Sequence, residues 1–357
     1  MTRTIGTAAY GLRAPIVKQG DDLVKIVVDT VLNSGLEIKD KDVLGITESI
    51  VARCEGNYVT IDEVAEEIKK ISKNAEVIDV VEPVYSRNRF AMILKAISRA
   101  AGKKVRIHVK DIDEVGNVLR NHPFTKINYD EYYQSIIESE GKECEIINWD
   151  ESYNGQLGAP DYTIDARMYR TTKDVEYDLN YACGLQHICS DKCFWGLHGS
   201  NKSSEELLKL FPSKDYAQNF VDTVQAKIKE ATGKEICVMC YGDGGFKCPV
   251  SGIWECLDPV VSPAYTSNLE GTPNEIKIKN FADEKYKDLK GEELNAAIKK
   301  EIENKNNDLK GSMTSQGTTP RQYTDLLGSL MDLTSGSGDK GTPFVYIQGY
   351  FDNMAND

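Results

Sequence analysis

A chain of 357 residues with 40% hydrophobic and 28% charged side chains has globular composition and enough length for one large core or two ordinary ones. Its formal charge of -13 excludes a broad electrostatic grip on nucleic acid or an anionic membrane, whose phosphates it would repel. No apolar run reaches a membrane span and no basic, apolar leader opens the chain, so the expectation is a cytoplasmic protein whose nine cysteines are reduced thiols rather than a disulfide framework.

Ala14 to Lys18 reads as extended chain, and the turn that follows supplies an aspartate cap for an amphipathic helix over Leu23 to Asn33. Val43 to Ile46 is a short buried strand. Behind it, Thr47 to Asn57 carries Glu48, Ser49, Glu55 and Gly56, a polar cluster at a strand's carboxyl end, where sheets covered by helices meet their ligands. Thr60 and Glu63 have the capping-box spacing for a helix to about Ser72. Val77 to Val81 is a strand, and Ser86-Arg87-Asn88-Arg89 opens a helix from Phe90 to Ala101. Two arginines there oppose the helix dipole, a placement that fits guanidinium groups aimed at an anion. The competing reading is that they face water.

Lys104 to Lys110 alternates like a strand, Asn128 to Asn148 shows no clear period, and Asn154 to Pro160 is a loop. Residues 105–190 therefore read as an insertion or second lobe between two parts of one core, 1–104 and 191–357. A helix from Tyr216 to about Thr232 precedes the strand Ile236 to Cys240, which breaks into Tyr241-Gly242-Asp243-Gly244-Gly245. A carboxylate flanked by glycines at a strand end leaves the backbone open to a ligand. Asp243 is thus a candidate for a metal or phosphate-linked role, the alternative being a simple turn. Val260 to Gly271 is rich in turn residues, Glu284 to Lys305 is a charged helix, Thr319-Pro320-Arg321 starts a helix to about Leu333, and Phe344 to Ile347 is a closing strand. The whole predicts a two-lobed, mixed α/β protein.

There is no phosphate-binding G-x-x-x-x-G-K-[ST] loop and no G-x-G-x-x-G between strand and helix. Cys183, His187, Cys189, Cys193 and His198 invite a zinc test, and with it a lesser reading as a zinc hydrolase, but buried apolar cysteines are the better reading. Cys237 and Cys240 would point to opposite faces of their strand. More informative are acids and amides at strand ends: Glu48 with Ser49, Glu55 with Gly56, and Asp243 with Gly242 and Gly244. Hard oxygen ligands suit magnesium or manganese, which suit nucleotide phosphates and hence phosphoryl transfer or acyl activation.

Several segments resemble the coenzyme F420-0 gamma-glutamyl ligase family. They are G-D-D-L at Gly20 to Leu23, D-V-L-G-I-T-E-S-I-V-A-R-C-E-G at Asp42 to Gly56, Ser200-Asn201, K-E-A-T-G-K-E-I at Lys229 to Ile236 and Y-G-D-G-G-F-K-C-P at Tyr241 to Pro249, with T-D-L-L-G-S-L-M-D-L and G-T-P-F-V-Y-I-Q-G-Y closing the chain. The resemblance implies a mixed α/β fold unlike P-loop or Rossmann enzymes, an intertwined homodimer, and a GTP-dependent ligase using Mg2+ or Mn2+, with K+ a further candidate ion. Such an enzyme phosphorylates an acid and lets the amine of glutamate attack the acyl phosphate.

By motif match, Asp243 falls on the family's metal-binding Asp, Ser200 and Asn201 on its D-x-S-N, and Glu55-Gly56 on its nucleotide-side A-E-G. His198 stands at the first Asp of D-x-S-N, as a nitrogen ligand for the metal, and Ser49 stands where the family has Lys. Arg87, Arg89 or Lys247 would neutralise acceptor or phosphate charge. These departures leave room for ATP in place of GTP and for another acceptor, a folate for instance. The alternative is a non-catalytic relative that binds a nucleotide or metabolite.

Overall fold

The computed structural model describes residues 4–81, 83, 87–109, 120–121, 125–148, 159–166, 176–243, 246–247, 254–255, 260–305, 321–336 and 338–355. The chain forms two compact units, one of Met1–Cys54 with Lys214–Asp357 and one of Glu55–Ser213. The expected break at residue 104 falls inside a strand of the second unit.

The first strand is β1 (Ala8–Leu12), earlier than the extended Ala14 to Lys18 stretch. Helix α1 (Leu23–Leu32) is capped by Asp22, whose carboxylate accepts the Lys25 amide at 3.0 Å. After β2 (Val43–Thr47) the polar cluster is itself helical, α2 (Glu48–Glu55), ended by Gly56 at φ 81°, a value that favours glycine. Then come β3 (Tyr58–Thr60), α3 (Ile61–Ile71) with its Thr60/Glu63 capping box, β4 (Val77–Val81), α4 (Arg89–Ala100) and β5 (Lys104–Val109). The stretch without visible period holds α5 (Tyr129–Ser139) and β6 (Glu143–Asn148), followed by β7 (Tyr162–Asp165), β8 (Ala182–Gly184), β9 (Ser200–Ser204) and β10 (Leu207–Leu210).

Helix α6 (Lys214–Thr232) and β11 (Cys237–Asp243) return the chain to the first unit, with the two-residue strands β12 (Phe246–Lys247) and β13 (Trp254–Glu255) beyond. Where turns were expected, β14 (Val260–Tyr265) pairs along β11. It is an edge strand, and that position tolerates Pro263, which has no amide hydrogen to donate. The charged helix starts later than Glu284: α7 (Ile278–Asn280) runs into a wide turn over Phe281–Lys285, and α8 covers Gly291–Glu303. Helix α9 (Tyr323–Ser335) and β15 (Phe344–Gln348) close the fold.

In the first unit the sheet order is β1-β15-β2-β11-β14, with β2 and β11 parallel and the other pairs antiparallel. One face packs Leu44, Ile46, Val238 and Cys240 with residues of α1 and α6, and the other packs Val43, Cys237, Met239 and Tyr241 with Leu327 and Met331 of α9. Gly45 permits the second packing, because a Cβ there would lie 2.1 Å from Met331 Sδ. At the strands' amino ends the Tyr346 hydroxyl donates to Asp42 Oδ2 at 3.0 Å and the Lys39 amide donates to the same oxygen at 2.9 Å.

The second unit has a small antiparallel sheet, β3-β10-β9, and an all-parallel one, β6-β5-β4-β7-β8. From β4 the chain moves outward through β5 and β6, then resumes on the other side with β7 and β8, so the winding reverses between β4 and β7. Alternation puts Ile78, Val80, Val105, Ile107 and Ile164, all fully buried, on one face. Asp79, Arg106, His108 and Asp165 occupy the other, at 3–6% exposure. Arg106 there donates to both Asp79 oxygens, at 2.5 and 3.0 Å, and His108 Nε2 lies 2.7 Å from Asp79 Oδ2.

The α9 packing makes a prediction. Gly45→Ala overpacks the Met331 contact and lowers the stability measured by urea unfolding by about 1–3 kcal/mol. Combined with Met331→Ala, the two losses sum to less than their separate values, since the added methyl then has room.

Candidate active site

The parallel register of β2 and β11 builds the strongest part of the site. Tyr241 pairs with Thr47, so the next residues, Glu48 and Gly242, leave the sheet side by side. Glu48 is 4% exposed, and its Cγ would stand 2.1 Å from any Cβ at position 242. Glycine is therefore required by the close approach of the carboxylate, and Asp243 follows immediately. Ser49 lies in the first turn of α2 beside Glu48. Of Asp243 and Lys247 only the backbone belongs to the described residues, and Gly244 lies outside them. Glu48, Ser49, Gly242 and Asp243, two separate polar strand ends in the sequence, thus share one place in the fold.

Glu55 and Gly56 do not share it. Glu55 is seven residues along α2 from Glu48, roughly 10 Å at the helical rise per residue. Its carboxylate accepts the Ser213 amide at 3.0 Å and also bonds the Ser213 hydroxyl. Gly56 serves as the turn that ends the helix.

The remaining predicted residues gather in the second unit. Arg87 is exposed just ahead of α4, whose first turn holds Arg89, no acidic residue and no side-chain cap bond. The Asn88 amide oxygen accepts from the Lys202 backbone at 3.0 Å, and Arg89 Nη2 donates to Asn201 Oδ1 at 3.3 Å. Ser200 is fully buried and its hydroxyl is directed inward, donating to the Leu197 carbonyl at 2.6 Å. His198 is half-buried as a residue, but its Nε2 is buried with no hydrogen-bond partner. Burial first, then the charge of Arg89, pull its pKa down to about 4, against a smaller upward pull from Asp165.

Sequence reading missed Asp165, Tyr177 and His187, which belong to the same cluster. The Tyr177 hydroxyl donates to Asp165 Oδ2 at 2.8 Å, and its ring meets that of His187 edge-on at 5.4 Å. The one available signal was that Asp165 ends the alternating Tyr162-Thr163-Ile164 run.

Cys183, Cys189 and Cys193 are buried free thiols. Burial pushes Cys183 up to about 12 and raises Cys189 as well, which opposes the thiolate form that zinc requires. Among the described residues no three His, Cys, Asp or Glu side chains could hold a metal ion together, and no helix is long and apolar enough to cross a membrane. Separately, a cavity of about 610 Å3 lined by Tyr10, Lys39, Lys41, Asp42 and Phe351 lies at the amino end of β2, away from the carboxyl ends.

A depressed histidine has a definite consequence for stability. Between its ordinary value near 6.5 and its folded value of about 4, the unfolded chain takes up a proton that the folded imidazole refuses, so stability present above pH 6.5 is lost as pH falls through this window. His198→Gln removes that part. Its urea midpoint should drop less between pH 7 and pH 5 than that of the parent chain, and equal drops would show an imidazole titrating normally.

Comparison with known proteins agrees with this geometry. The chain aligns with an uncharacterized protein of Methanocaldococcus jannaschii at 33% identity over 51 residues, 14% of this chain and 18% of that protein. It aligns with the coenzyme F420:L-glutamate ligase of Methanothermobacter thermautotrophicus at 29% identity over 79 residues, 22% of this chain and 29% of that enzyme. The chain thus matches less than a third of the length of either relative. The profile of the F420-0:Gamma-glutamyl ligase family, by contrast, matches residues 11–349, nearly the whole chain. With both the strand-end site and the second unit inside that match, the chain belongs to the F420-0:Gamma-glutamyl ligase family.

Proposed function

We propose that this protein is a nucleotide- and divalent-metal-dependent amide ligase that joins glutamate, or another amino acid, to a small carboxylic acid through an acyl phosphate. The observation that carries this reading is the meeting of Glu48 and Asp243 at the carboxyl ends of two adjacent parallel strands, across a glycine that the Glu48 side chain leaves no room to replace. The donors there are hard oxygens, which fit Mg2+ or Mn2+. A divalent cation held by Asp243 with Glu48 would offset the charge of the nucleotide phosphates.

In this scheme the acid's carboxylate oxygen attacks the γ-phosphorus of GTP or ATP, and the nucleoside diphosphate leaves. The amino acid's nitrogen then attacks the acyl carbon, loses a proton, and inorganic phosphate departs. The protein's part is to position and to balance charge. Gly242 keeps the backbone bare for the phosphates, Glu48 and Ser49 sit where α2 begins, and Lys247 or Arg87 neutralises phosphate or acceptor charge. The working form is a cytoplasmic homodimer.

The test supplies purified protein with Mg2+ or Mn2+, GTP or ATP, and panels of amino acids and acids, and reads nucleoside diphosphate and amide product by mass spectrometry. Asp243→Asn and Glu48→Gln should each lower turnover about a hundredfold, in the range seen when one charge-stabilising group is removed. Gly242→Ala should lower it about tenfold by displacing Glu48, one pK-unit equivalent of transition-state stabilisation. Undiminished turnover in Asp243→Asn would remove the metal role. Nucleotide binding without any amide product would favour the non-catalytic relative, for which the Ser49 departure is the sequence argument.

A further inference from the structure

The second unit carries a cluster that the ligase chemistry proposed for the strand ends of the first unit does not use. The all-parallel sheet reverses its winding between β4 and β7, and the carboxyl side of such a reversal is where open α/β sheets bind their ligands. Three elements present side chains around that side. Helix α4, next after β4, contributes Arg89 and an amino end without a side-chain cap. Strand β7 ends on Asp165. The short helical turn Gly196–Gly199 and β9 contribute His198 and Asn201, and Asn201 is already joined to Arg89 at 3.3 Å.

Two features of this cluster point to an anion rather than a metal cation. The guanidinium outweighs Asp165 in its effect on His198, and Asp165 already accepts from Tyr177. His198 Nε2 is buried with its hydrogen-bonding capacity unspent, a condition that costs about 1–3 kcal/mol in the absence of a partner. A neutral imidazole in the Nε2–H tautomer can donate to an oxyanion without adding charge. The amides at the start of α4 point their hydrogens the same way, as helix amino ends do for phosphate.

We infer that the carboxyl side of the β4–β7 reversal is a phosphate-binding site of the second unit, in which Arg89, His198 Nε2 and the first-turn amides of α4 hold the phosphate group of a small molecule. The site is distinct from the Glu48–Asp243 strand ends and needs no metal. Only the role of that molecule, as the acid to be amidated, rests on the ligase reading.

The experiment titrates the full chain with inorganic phosphate in the presence of EDTA, following heat of binding and the imidazole resonances of His198, with succinate as the carboxylate control. Phosphate should bind and shift the His198 resonances. Arg89→Met should weaken it at least tenfold, His198→Ala should weaken it more than His198→Gln, which keeps a donor, and Asp243→Asn should leave it unchanged. Should Arg89→Met not fold, Arg89→Lys, which keeps the charge but not the fork, serves with a smaller expected loss. Binding that survives both Arg89 variants, binding lost in Asp243→Asn, no phosphate binding, or succinate bound as tightly as phosphate would each overturn the inference. Phosphate bound at Arg89 by a protein that forms no amide would leave this site standing and sink the ligase reading alone.

Discussion

The parallel pairing of β2 with β11 is the constraint on which the rest of the first unit depends. Both strands are buried on both faces, so each residue is committed to one of two cores: Leu44 and Ile46 to the α1 and α6 side, Val43 to the α9 side. A slip of one residue would exchange the faces. With each large apolar side chain contributing about 1.5–3 kcal/mol on burial, no such slip competes. The same register sets Glu48 beside Gly242, so the catalytic arrangement is a by-product of core packing rather than of loop conformation.

How much of this could be read from the chain depended on how local the cause was. The α3 capping box, the α1 aspartate cap and the buried runs of β2, β4 and β11 are written in neighbouring residues, and they lie where the spacing puts them. The meeting of Glu48 with Gly242 was legible only as two polar strand ends, because pairing between distant segments leaves no mark in either. Helix α2 was hidden by its function-like polarity. Strand β14 was hidden by Ser262 and Pro263, which an edge strand accepts. The cluster of Arg89, Asn201, His198 and Asp165 was half legible: the arginines opposed their helix dipole, while Asp165 carried no sign of its neighbours.

The second unit resisted reading for a further physical reason. Parallel sheets usually bury apolar residues on both faces, and a strand such as β5 then appears as a continuous hydrophobic run. Here one face carries the Asp79–Arg106–His108 bonds, so β5 alternates as if half-exposed although none of the three is more than 6% exposed. Buried ion pairs of this kind add little net stability against apolar replacements but are costly to break. They hold β4 and β5 at the spacing from which the carboxyl side of the sheet is built.

The strand order of the first unit also sets the sequence in which a growing chain can fold. The partners of β2 are β11 and β15, and the partner of β1 is β15, so nothing in the first 54 residues has a sheet neighbour until the far end of the chain has been made. The second unit is contiguous and can close while still attached to the ribosome. The early segment must wait with two unpaired strand edges, the condition in which strands recruit wrong partners. Ribosome-bound chains of this protein are accordingly most exposed to misassociation after the second unit has folded and before β15 emerges.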